Sequence, residues 1–157
     1  MAAARRETGS GGAGPTTTRV GAALVVTLPR ELDDDALAAL RGRTLDQARH
    51  AGVRAVVFEA SGLDVVDAEE FGALAAIARA AAWLGVRPML VGLSAGLVRY
   101  LVDADLDTSA FEPFGTLDDA LAALGALGAE TAAASARRAG ANEAGDAADE
   151  VRAELGA

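Results

Sequence analysis

Three short apolar runs, Ala23 to Leu28, Arg54 to Glu59 and Arg87 to Gly92, alternate with stretches whose apolar residues recur at helical spacing. This alternation constrains the fold more than any other feature of the chain. A strand that is apolar throughout must be covered on both faces, and strands joined through helices pair in parallel. The expected fold class is therefore α/β, with a parallel core to its sheet.

Local signals place the elements. Thr16 to Leu28 is rich in β-branched residues and turns at Gly21, which predicts a hairpin of two short strands. Pro29 ends the second strand. Asp33 then reads as an N-cap, followed by a helix with Leu37, Leu40, Leu45 and Ala48 on one face. Asp67 with Glu70 three residues later has the pattern of a capping box. The helix it opens carries Phe71, Leu74, Ala75, Ala78 and Ala82 as its apolar stripe and stops at Gly85. Ser94 caps a short helix, an acidic linker follows, and Thr116 with Asp119 opens a last helix. Residues 1–15 are polar and Gly-rich and are expected to be disordered. A single domain spans 16–125. From 126 to 157 the chain is Ala/Gly/Glu-rich, and disorder is expected there too, with nascent helix near Asp149 to Leu155.

Composition removes most chemistry. The formal net charge of −9 opposes nucleic-acid binding. The chain has no Cys, all 14 basic residues are Arg, and His50 is the single histidine. Thiolate nucleophiles, P-loop or Schiff-base lysines and multi-His metal centres are thus unavailable. Asp64 and Asp67 form a carboxylate pair, but no nucleophile or oxyanion donor accompanies them. Asp103, Asp105 and Asp107 begin like a calcium loop, yet Thr108 stands where that loop needs Gly and Phe114 where it needs Glu. No enzyme activity, cofactor or metal is expected. No apolar run reaches bilayer length, and Glu7-Thr8-Gly9-Ser10 follows the basic start where a secretory signal would be apolar. The expectation is a cytoplasmic protein with no direct membrane insertion.

The segment Val56-Val-Phe-Glu-Ala-Ser-Gly-Leu-Asp-Val-Val-Asp67-Ala-Glu-Glu-Phe-Gly-Ala-Leu74 resembles the STAS domain of the anti-sigma-factor antagonist superfamily. The likeness extends back to Leu32-Asp-Asp-Asp and forward through Leu84-Gly-Val-Arg-Pro-Met-Leu-Val-Gly-Leu to Thr116-Leu-Asp-Asp-Ala-Leu. Within that superfamily the pattern is most similar to stressosome scaffold and antagonist proteins, RsbS-like and RsbR-like. The resemblance implies a STAS (SpoIIAA-like) fold, a mixed sheet of four to five strands with helices packed mainly on one face. It implies regulation by docking to a GHKL-type serine kinase or anti-sigma factor, with STAS paralogues or a homo-oligomer as further partners. It also implies a Ser or Thr phospho-acceptor directly after the capping Asp, where a phosphate would meet free helix amides and the positive dipole end. This chain has Ala68 there, which cannot be phosphorylated, followed by Glu69 and Glu70; Ser61 is the nearest alternative acceptor. The implied partner surface centres on the loop from Ser61 to Val66, the first turn Asp67 to Phe71 and the helix Ser94 to Asp103, with Asp64, Asp67, Ala68, Glu69, Glu70, Phe71, Ser94 and Leu97 as its contact residues. Two rival readings stand beside it: a STAS subunit of a membrane transporter complex of the phospholipid-trafficking type, and a small-ligand or nucleotide sensor.

Overall fold

The computed structural model describes residues 14–156 of the 157. The elements are β1 (Thr16–Val20), β2 (Ala23–Thr27), α1 (Asp34–Ala48), β3 (Ala55–Glu59), α2 (Ala68–Trp83), β4 (Arg87–Val91), α3 (Ala95–Asp103), β5 (Glu112–Phe114) and α4 (Leu117–Leu155). The sheet runs in chain order, β1-β2-β3-β4-β5. β1 pairs antiparallel with β2 through the expected turn, and the other neighbours are parallel. Each crossover, β2-α1-β3, β3-α2-β4 and β4-α3-β5, steps one strand in the same direction. Right-handed crossovers that all step one way place their helices on the same face. The α/β class and the mixed five-stranded sheet agree with the sequence reading.

That helical face holds the main core. Leu24, Val26, Val56, Phe58 and Leu90 from the strands cluster with Leu40 of α1, Phe71, Leu74 and Ile77 of α2, and Leu97 and Leu101 of α3. Phe111 stands edge-on to Phe58, with ring centroids 5.7 Å apart, the arrangement that the aromatic quadrupole favours. The alternate strand residues Val25, Val57 and Met89 stand side by side on the other face and are buried as well. Burial on both faces is why these strands read as unbroken apolar runs.

The structure departs from the sequence reading in three places. The stretch read as an acidic linker contains β5, Glu-Pro-Phe, only three residues long and at the sheet's edge. A strand that short shows no periodicity, and Pro113 is tolerated because an edge strand need not donate on both sides. Second, where disorder was expected from 126 onward, α4 continues to Leu155. Residues 129–145 are all exposed, so helix propensity and not burial carries this stretch, and a search for bulky apolar residues misses an Ala-rich helix. Third, the N-terminal segment enters the fold by Pro15, which is buried and whose carbonyl accepts a 2.7 Å hydrogen bond from Arg43 Nη1. Residues 1–13 lie outside the described part.

The acids that began a calcium-like run each have a local partner or place. Asp103 pairs with Arg99 at 3.5 Å. Asp105, at φ 50°, takes the left-handed position that ends α3, while the Leu106 amide donates back to Leu101 O at 3.0 Å. Asp107 accepts from the Ser109 amide at 2.9 Å and faces Arg79 of α2 at 3.6 Å. Hydrogen bonds from Ser109, then the Arg79 charge, hold its carboxyl below the usual carboxylate range.

Thr44, in the middle of α1, is fully buried and its Oγ1 has no hydrogen-bond partner among the described residues. An unmatched buried hydroxyl keeps the cost of its lost hydration. Thr44→Val therefore raises stability by about 1 kcal/mol, measured as an upward shift of the urea midpoint at unchanged slope.

Candidate functional site

Parallel register aligns the ends of three strands: Thr27 stands beside Glu59, and Glu59 beside Val91. The segments that follow them emerge together at this end of the sheet, where loops of parallel α/β sheets form binding surfaces. Backbone bonds extend the ladder beyond the strands, from Leu28 N to Glu59 O and from Ala60 N to Val91 O, both 2.9 Å. Leu63 and Val66 are buried and anchor the loop after β3, whereas Val65 between them is 64% exposed.

Two long-range devices hold that loop. The Asp64 amide donates to Arg30 O at 3.0 Å, and Arg30 Nε donates back to Asp64 Oδ2 at 2.8 Å. The Asp64 hydrogen bond, reinforced by its charge, raises the Arg30 guanidinium above its ordinary pKa. At the other side Gly92 has φ +75°, and a Cβ there would lie 2.8 Å from Glu59 Oε1 and 3.1 Å from the Ser61 nitrogen. The same Glu59 Oε1 accepts the Ser61 amide at 3.0 Å. Gly92 thus lets the end of β4 close on the loop, which a side chain would prevent. Glu59 had no sequence signal as a site-shaping residue, since its role depends on a neighbour from another strand.

The first turn of α2 is built as its residues imply. Asp67 is extended, its Oδ1 accepts the Glu70 amide at 2.8 Å, and Glu70 Oε2 accepts the Asp67 amide at 2.8 Å. The capping box is complete. Ala68 and Glu69 are exposed and Glu70 is half-buried. Ser94 caps α3 by accepting the Leu97 amide on Oγ at 3.2 Å.

The two segments meet. A depression of about 430 Å³ lies between Asp64, Val65 and Asp67 on one side and Ser94, Leu97 and Tyr100 on the other. Tyr100, Val98 and Val102 expose apolar surface along α3. Ala68, Glu69 and Glu70 occupy the adjoining turn of α2 without lining the depression. Phe71 does not belong to this surface: it is 3% exposed and packs against Phe111, because the helical stripe turns it into the core. Val65, Val66, Gly96 and Tyr100 line the depression as well, within the loop Ser61 to Val66 and the helix Ser94 to Asp103 on which the sequence reading centred the surface, although none of the four was named there as a contact residue. Ser61 is exposed in the loop. Asp64 is paired with Arg30, whereas Asp67, Glu69 and Glu70 form no salt bridge among the described residues. The surface therefore offers an apolar floor and a negative edge.

The family profile described as STAS domain matches residues 14–120. The fold is similar to the RsbS protein of Moorella thermoacetica carrying a serine-to-glutamate change, at 23% identity, 73% of this chain, 97% of that one and TM-score 0.61. It is also similar to a chain of the stressosome, described as a signal integration and transduction hub, at 26% identity, 72% and 98% coverage and TM-score 0.59. A third likeness is to the anti-sigma factor antagonist SpoIIAA in its unphosphorylated form, at 16% identity, 71% and 97% coverage and TM-score 0.54. No curated protein matches the chain. Among the described residues, no helix is long and apolar enough to cross a membrane.

Removing the cap in Asp67→Ala is expected to cost about 1 kcal/mol of stability in urea unfolding. Gly92→Ala is expected to cost more than about 1 kcal/mol, because left-handed backbone and a close contact coincide there, and to shift the Ser61 amide resonance.

Proposed function

The chain belongs to the STAS domain family, and on that premise we propose that it is a non-enzymatic regulatory module that docks a serine kinase or anti-sigma factor of the GHKL type. The observation that carries this reading is the convergence of the loop after β3, the first turn of α2 and α3 on one depression with an apolar floor and an acidic edge. Protein-binding surfaces combine an apolar anchor region with a charged rim in this way. A relative named as an anti-sigma factor antagonist and a chain of the stressosome share the fold, which supports the same assignment.

In this proposal Ala68 fixes the state of the switch. It stands exposed in the first helical turn, the place where a phosphate would find free amides, but a methyl group cannot be esterified. Glu69 keeps negative charge in the same turn permanently. A carboxylate has one charge where a phosphate has nearly two, so the turn resembles a phosphorylated one only in sign. The domain then binds its partner without a cycle of modification and release. The acidic edge favours a partner with a basic patch, and the complex weakens as salt screens the rim.

The test is a pull-down with a GHKL-type serine kinase or anti-sigma factor, comparing the wild type with Asp67→Arg and Ala68→Ser. Wild type binds. Asp67→Arg, shown to be folded by circular dichroism, binds roughly 30-fold or more weakly. Ala68→Ser binds and acquires release that depends on kinase and ATP. An undiminished complex with folded Asp67→Arg, or phosphate found on the wild-type loop at Ser61, would overturn the proposal.

A further inference from the structure

The charged side chains that line the docking depression are both carboxylates, Asp64 and Asp67, and among the described residues no arginine or histidine borders it. Each carboxylate has one oxygen engaged and one open. Arg30 sends Nε and Nη2 to the same Asp64 oxygen, Oδ2, and Oδ1 makes no hydrogen bond among the described residues. Asp67 gives Oδ1 to the Glu70 amide, and its Oδ2 likewise has no partner among them. Arg30 offsets the charge of Asp64, whereas Asp67 shares its turn with Glu69 and Glu70 and with no cation.

An open carboxylate oxygen beside an apolar floor is matched by a positive donor carried on an apolar stem. Arginine meets this better than lysine. Its planar fork can donate to two carboxylates at once, it is the more weakly hydrated cation, and its face stacks on an aromatic ring. Tyr100 supplies such a ring on the α3 side, 39% exposed and lining the depression. Gly96 lines it too, and its amide, in the first turn of α3, has no acceptor among the described residues. A backbone carbonyl of a peptide suits that donor. A free anion does not suit the site, because it would face both carboxylates and no side-chain cation within the depression.

We propose that the depression seats one arginine side chain of an extended partner segment. The guanidinium is shared between Asp64 Oδ1 and Asp67 Oδ2 with its face on Tyr100, and a neighbouring carbonyl of the segment takes the Gly96 amide. The inference rests on the docking reading above and gives the partner a chemical identity: the anchor is arginine, and Tyr100 is the residue that selects it over lysine.

The experiment is an amide NMR titration of the full chain with the blocked peptides acetyl-Gly-Arg-Gly-amide and acetyl-Gly-Lys-Gly-amide, and with inorganic phosphate. The arginine peptide shifts the amides of Val65, Asp67, Gly96 and Tyr100 and saturates at millimolar concentration. The lysine peptide binds about fivefold more weakly. Phosphate leaves these amides unmoved. Asp67→Asn keeps the cap, since Asn accepts the Glu70 amide as Asp does, and weakens the arginine peptide about fivefold. Tyr100→Leu lowers the ratio between the two peptides toward one, a change that lost stability alone would not produce. Absence of shifts in the depression, the same shifts with phosphate, equal binding of both peptides by wild type, undiminished binding to Asp67→Asn or an unchanged ratio in Tyr100→Leu would each overturn the proposal. If a GHKL-type partner docks while the arginine peptide is ignored, the seat fails and the docking reading stands. If the peptide is selected and that partner does not dock, the docking reading fails and the seat stands.

Discussion

Parallel pairing of β2, β3 and β4 in level register is the constraint from which the surface of this protein follows. Because Thr27, Glu59 and Val91 end side by side, three connecting segments emerge at one edge. Each leads into a helix whose first turn carries exposed amide donors. Chain direction therefore settles at which end of the sheet these connecting segments and helix starts gather. It does so before any particular side chain is considered, since reversing one central strand would send one of these segments to the far end.

Within that frame, precision comes from contacts between segments distant in sequence. Arg30 reaches Asp64 across 34 residues and fixes the loop after β3 from one side. Gly92, Glu59 and Ser61 close it from the other, with a glycine required both by backbone conformation and by space. The surface pair between Arg30 and Asp64 lies in water and serves position more than stability. The buried side chains of Leu63 and Val66 supply the anchoring that exposed charges cannot.

Parallel topology also organises charge. Acidic residues are favoured at helix starts by the macrodipole, and α1 and α2, which start at the same end, carry Asp34, Asp35, Glu69 and Glu70 in their first turns, whereas α3 has no acid in its own. At the other end the arginines are interleaved with acids: Arg79 faces Asp107 and Arg87 pairs with Glu112. The exposed apolar side chains lie at both ends, with Val65 beside Asp64 and Asp67 and Trp83 and Leu84 at the end of α2.

Sequence alone determined the features whose causes lie within a few residues. The caps at Asp33, Asp67, Ser94 and Thr116 were legible because each side chain accepts from an amide three residues ahead. The strands were legible from their unbroken apolar runs, and the missing hydroxyl at Ala68 from the residue itself. Tertiary structure decided which of these local features share a surface. It brought Ser94, Leu97 and Tyr100 to Val65 and Asp67, turned Phe71 into the core and paired Asp64 with Arg30. It also gave β5 its identity, because three residues become a strand only when β4 presents an edge to them. Hydrogen bonds to near neighbours are written in the order of residues; adjacency between segments exists only once the sheet has set their register.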